Sequence, residues 1–133
     1  NFTETHAVVI RNDTGVAVTD IMTYFDDLSA TPFLNIFIAA VQLTEDTSCT
    51  PSKFYMEHIP SIRAKPINAT FFQPISIGTA VNLGDLEVGE MLGIWLRAEL
   101  KPDLTDYFTC DYLNDNGPLT ETKEMIDWRF DWT

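Results

Sequence analysis

Residues 81–100 read VNLGDLEVGEMLGIWLRAEL. Within them Leu92, Ile94, Leu96 and Ala98 alternate with Gly93, Trp95, Arg97 and Glu99. Side chains in a strand point alternately to opposite faces, so this spacing predicts a half-buried β-strand over 91–100. The Leu-Gly-Asp-Leu run and Gly89 before it predict a turn that feeds the strand, with Gly84 and Gly89 as turn glycines.

Working outward, residues 6–11 (HAVVIR) predict a short strand that stops at the Asn-Asp-Thr-Gly turn of 12–15. Residues 16–25 (VAVTDIMTYF) are rich in β-branched and aromatic side chains and predict its antiparallel return strand. Residues 34–43 (LNIFIAAVQL) are apolar on both faces, as a central strand is. Residues 44–52 predict a loop carrying Cys49. From 53 to 74 three prolines confine the chain to edge strands and connections, with a short strand over 69–72. Residues 105–113 (TDYFTCDYL) predict the closing strand, and Asn114 to Pro118 stop it.

Many short strands with turns between them and little helix define an all-β fold. The expectation is a single antiparallel β-sandwich over residues 1–118, immunoglobulin-like or jelly-roll. Residues 119–133 form a C-terminal aromatic arm. A short helix over 121–128 is expected there, followed by an extended stretch in which Trp128, Phe130 and Trp132 alternate with Arg129 and Asp131. The arm either folds back over an open end of its own domain or docks on a neighbouring subunit. Aromatic residues anchor interfaces, which makes Trp128, Phe130 and Trp132 the interface candidates.

The chain has 133 residues, enough for one domain with a sizeable core. Asp+Glu number 20 against 8 Lys+Arg, a formal charge of −12. Such a surface repels phosphates and anionic lipid, so neither nucleic acid nor membrane is an expected partner. No apolar run reaches the length of a helical membrane span. The chain opens on Asn1 rather than Met, as expected of a processed mature protein or of a piece of a longer one.

Cys49 and Cys110 stand too far apart, and too few in number, for a zinc site. Paired as a disulfide they would close a long loop and contribute about 4 kcal/mol in the chain-entropy model. Such a bond belongs to an oxidising setting, and two free thiols are the alternative. Asn1, Asn12 and Asn68 each open an Asn-x-Thr glycosylation triplet, pointing the same way.

Chemistry is poorly represented. His6 and His58 are the only histidines and lie in no metal-binding or catalytic pattern. No nucleophile elbow, P-loop or dinucleotide fingerprint occurs. Asp26/Asp27, Glu45/Asp46, Asp103/Asp106 and Asp111/Asp115 fall in loops or at strand ends. Brought together they could hold a structural calcium, or less readily a glycosidase pair, but no spacing singles out two of them. An EF-hand alignment on Gly117 puts Tyr112 and Lys123 at ligand positions and fails. No cofactor is therefore expected, and no catalytic residue.

The Asn-Asp-Thr-Gly turn with its following strand, and then Asn82-Leu-Gly-Asp-Leu-x-x-Gly-x-x-x-Gly-Ile-Trp-Leu-Arg97, resemble a β-sandwich module of tailed-phage and related prokaryotic-virus structural proteins. Gly84 and Gly89 match as turn formers, Trp95 as a packing residue and Arg97 as the following strand position. The cysteine pair and the Trp-rich tail depart from that pattern. The resemblance implies a non-enzymatic building block of a virion, a capsid, decoration or tail component. Its partners would be copies of itself or other structural subunits, outside a cell. The competing readings are a subunit of a secreted cell-surface filament and an extracellular adhesion module that binds glycan.

Overall fold

A computed structural model of the chain describes residues 3–26, 34–100 and 126–133. The strand expected over 105–113, Asn1, Cys110 and the boundary at 118/119 lie outside them. Among the described residues the regular structure is β-strand with one 3-10 turn at Ile77–Thr79: β1 (Thr3–Arg11), β2 (Val18–Asp26), β3 (Leu34–Val41), β4 (Thr44–Asp46), β5 (Lys53–Tyr55), β6 (Val81–Leu86), β7 (Met91–Leu100) and β8 (Asp127–Asp131). Two three-stranded antiparallel sheets, ordered β1-β7-β3 and β6-β2-β8, pack together as expected of a β-sandwich.

The inward side chains of β7 set the core. Ile94 lies opposite Val8 on β1 and Ala40 on β3, and Leu92 lies opposite Ile10. One cluster joins Ile36, Ile38 and Ile94 of the first sheet to Phe25 of the second. A second joins Leu92 to Val18, Ile21 and Leu86, and Ile10, Leu83 and Phe130 touch both. Each such side chain fully withdrawn from water contributes about 1.5–3 kcal/mol, which makes this shared seam the main cohesive force between the sheets.

Several connections differ from the sequence expectation. β1 and β2 are not a hairpin: β1 pairs with β7, and β2 lies in the other sheet between β6 and β8. The 12–17 connection therefore crosses from sheet to sheet. Asn12 holds it there, donating from Nδ2 to the Val16 carbonyl at 2.7 Å and to the Leu86 carbonyl at 2.9 Å. Its backbone pairs with the 87–90 turn, to Glu90 at 3.0 Å and Gly89 at 2.8 Å.

The central strand of the first sheet is β7 rather than β3. On the far edge of β3 the strand expected over 69–72 is reduced to one bridge, Ile38 with Phe72, closed by two 2.8 Å hydrogen bonds. Residues 44–52 are not a plain loop, since β4 and β5 pair as a small hairpin.

Gly84 is a bulge residue inside β6 rather than a turn former. The β2–β6 register shifts on both sides of Ile21, where Gly84 has φ +86° and Asp20 φ +49°. Gly89 does sit in the 87–90 turn, with φ +81°.

β7 is also more than half-buried. Trp95, on its outer face, is only 4% exposed. Residues 56–64 cross that face: Met56 lies against Gly93, the Ile62 carbonyl accepts the Thr5 N–H at 2.7 Å, and Arg97 donates to Thr5 Oγ1 at 2.8 Å and to the Ala64 carbonyl at 3.4 Å. This third layer accounts for the burial of the outer face of β7.

The helix expected over 121–128 is corrected at its described end. Asp127 and Trp128 belong to strand β8, which covers the edge of β2, and Thr133 extends the pairing to Thr19 through bonds of 2.9 and 3.0 Å. The Trp-Arg-Phe-Asp alternation has the period of a strand and places Trp128 and Phe130 inward.

Candidate functional site

The three aromatic residues of the C-terminal segment have different surroundings. Trp128 packs on Phe25, with ring centroids 5.7 Å apart, and on Phe130 at 5.0 Å. Its Nε1 donates to Thr23 Oγ1 at 2.6 Å, and that hydroxyl, which is 0% exposed, donates in turn to the Arg129 carbonyl at 2.9 Å. Phe130 touches both core clusters. Trp128 and Phe130 are thus part of the domain's own packing. Trp132 is 55% exposed.

Trp132 stands at one end of the sandwich, where the 12–17 connection, the 87–90 turn and residue 133 meet. Here the seam between the sheets opens into a recess of about 240 Å³, walled by Ile10, Val18, Ile21, Leu86 and Phe130 with Trp132 at its side. A second recess, lined in part by Leu43, Phe54 and Val88, adjoins it across the Asn12–Gly89 backbone bond. Val16 and Val88 beside these openings are 65% and 57% exposed. The same end thus carries several apolar side chains in water.

Charged groups stand at this end too, Arg11 with Asp13 and the exposed Glu87 and Glu90 of the turn, and others are paired elsewhere. On the outer face of the second sheet Arg129 bridges Asp127 at 2.8 Å and Asp26 at 3.0 Å. The hydrogen bond and field of Asp127, and then the field of Asp26, hold the guanidinium charged well beyond its ordinary range. Tyr24 donates to Asp131 beside them at 3.3 Å. Glu57 accepts the Ile67 and Asn68 N–H groups at 2.8 and 3.0 Å, and these bonds lower its pKa. Asp46 is lowered likewise by the Ser48 hydroxyl and N–H.

Among the described residues no three His, Cys, Asp or Glu side chains gather where a metal ion could be held. Glu45 is exposed, while Asp27, Asp103, Asp106, Asp111 and Asp115 lie outside those residues. His6 is exposed and 3.1 Å from Glu4, and His58 is exposed. A third recess combines Trp95 with Gln42, Glu57 and Asn68, a composition suited to sugar binding, but the buried Trp95 ring offers no stacking platform.

The glycosylation triplets are also separated. Asn12 is buried with its amide nitrogen committed to two carbonyls, whereas Asn68 is exposed. Cys49 is an unpaired, half-buried thiol among the described residues, 4.0 Å from Asp46 Oδ2. Sequence reading found Trp132 but not the recess beside it, nor Thr23 and Asn12 as buried organising groups. For Asn12 the Asn-Asp-Thr-Gly turn was a signal, since such side chains bond nearby backbone. For Thr23 there was none.

Fold and surface together define a two-sheet antiparallel β-domain with an apolar end. Compared with protein families, curated proteins and solved structures, the chain matches none.

Proposed function

We propose that this chain is a non-enzymatic structural protein of an extracellular assembly, a virion component that acts by contact with copies of itself or with other structural subunits. The observation that carries this reading is the exposure of Val16, Val88 and Trp132, carried by segments that meet at one end of the sandwich. Large apolar residues grouped in water mark interaction surfaces more often than isolated ones do, and tryptophan is a preferred anchor. The resemblance of the Gly-punctuated Trp95 strand to virion modules supports the same reading. Trp128 and Phe130 serve it indirectly, by fixing the strand that presents Trp132.

The test is light scattering and negative-stain microscopy of the full chain and of a Val88→Ser/Trp132→Ser variant. Ordered multimers of the wild type are expected, and dispersed, folded monomers of the variant. Unchanged assembly by a variant with an unchanged circular dichroism spectrum would count against this end as the contact surface. A wild type that stays monomeric alone and with other components of its native particle would remove the proposal.

A further inference from the structure

We propose that the recess between the two sheets is a binding site for a compact, neutral, apolar molecule, a ligand of roughly the size of a substituted benzene ring. Its volume of about 240 Å³ exceeds the roughly 150 Å³ of apolar cavity that suffices to hold benzene. The walls are core side chains, Val18, Ile21 and Leu86, already held by packing and therefore preformed. Trp132 stands at its side, and the recess is partly open to solvent.

The polar groups around it dictate the class of ligand. Asn12 donates to the Val16 and Leu86 carbonyls, and its Oδ1 accepts the Thr14 N–H at 3.0 Å and hydroxyl at 2.7 Å. The Thr14 hydroxyl also lies 2.9 Å from the Val16 carbonyl. Arg11 is paired with Asp13 at 3.0 Å. A ligand's hydrogen-bonding group would surrender its water here and find the Asn12 and Thr14 side chains already engaged, and the Arg11 guanidinium, 59% exposed, already solvated, which disfavours it against an apolar ring. A carboxylate would in addition enter a domain of charge −12. What the site offers is shape and apolar surface, and a hydrocarbon ring uses both.

This site does not depend on the assembly reading, which concerns side chains outside the recess as well as Trp132. The experiment is methyl NMR of the full chain titrated with toluene, with benzoate as the charged counterpart. Toluene is expected to give saturable shifts at the methyls of Ile10, Val18, Ile21 and Leu86, and benzoate none at equal concentration. Val18→Phe, which puts a ring into the recess, is expected to abolish the toluene response, and Val88→Ser, outside it, to keep it. Absence of saturable shifts in the wild type would overturn the proposal even if Val18→Phe failed to fold. Equal shifts at exposed Val88 and Ile67, or an equal response to benzoate, would overturn it too. Loss of assembly in the Val88→Ser variant with toluene binding retained separates the two proposals.

Discussion

Replacing Thr23 by valine keeps the shape of the side chain and removes only the hydroxyl. That hydroxyl receives the Trp128 indole N–H at 2.6 Å and donates to the Arg129 carbonyl at 2.9 Å. Stranding a buried polar group costs about 1–3 kcal/mol. Trp128 is only partly buried and a carbonyl has a second lone pair, so the low end applies to each, about 2 kcal/mol together. Thr23→Ser keeps both bonds and loses a methyl from a fully buried position, about 1 kcal/mol. Valine should therefore be worse than serine here, although it is the better strand residue. With a urea slope of 1–3 kcal/mol per molar, Thr23→Val lowers the midpoint by roughly 1 M. In the Thr23→Val/Trp128→Phe double variant donor and acceptor are both gone, and the cycle should return about 1 kcal/mol of coupling. Urea unfolding of the four proteins measures this. A Thr23→Val midpoint at or above that of Thr23→Ser, with coupling near zero, would refute the β2–β8 pairing as the anchor of the C-terminal strand.

Asn12→Ala strands two carbonyls and frees the Thr14 turn, and a loss of about 2–4 kcal/mol in urea unfolding is expected; Asn12→Asp should cost at least as much, because it turns an acceptor toward those carbonyls. Gly84→Ala meets no atom within 4 Å but forces alanine to φ +86°, for an expected loss of about 1–2 kcal/mol, whereas Gly78→Ala, at ordinary φ, should leave thermal unfolding unchanged. Glu57 has its pKa lowered below the ordinary 4.5 by the Ile67 and Asn68 N–H groups, so its contribution is present above that pH and fades as pH falls through the lowered value. Unfolding midpoints measured from pH 7 down to pH 3 should show a shallower acid decline for Glu57→Gln than for the wild type, and identical declines would rule out the carboxylate as the brace of residues 67–68.

β7 was legible because its alternation, Leu92-Gly-Ile-Trp-Leu, and the positive-φ Gly89 are local signals that one residue's neighbours contain. The path of the chain between sheets was not. Asn-Asp-Thr-Gly between two apolar runs has the composition of a hairpin turn, and it crosses between the sheets because Asn12 reaches the Leu86 carbonyl, 74 positions away. The apolar character of residues 34–43 predicted burial on both faces correctly in kind but assigned it to a central position. On the neighbouring β7 the second face is covered by residues 56–64, a Pro-containing connection with no periodicity to announce it. The aromatic spacing at 128, 130 and 132 revealed a strand-like arm, while nothing in the sequence singled out its partner strand β2, whose Thr23 receives Trp128 and whose Thr19 pairs with Thr133.

A formal charge of −12 and an apolar end are opposed in their consequences for assembly. The excess of acidic residues gives like copies a mutual repulsion with a range of roughly 8–10 Å at physiological salt. The apolar attraction around Val16, Val88 and Trp132 acts only on contact. Under the assembly proposed above, the exposed Asp13, Glu87 and Glu90 at the same end oppose the approach of a like surface, so apolar burial has to supply the adhesion against them and a partner surface that pairs these acids is favoured. Pairing β8 against β2 serves the same outcome from within. It covers one edge of the second sheet that would otherwise invite unselective strand addition, and it sets Trp132 at the end where contact is proposed.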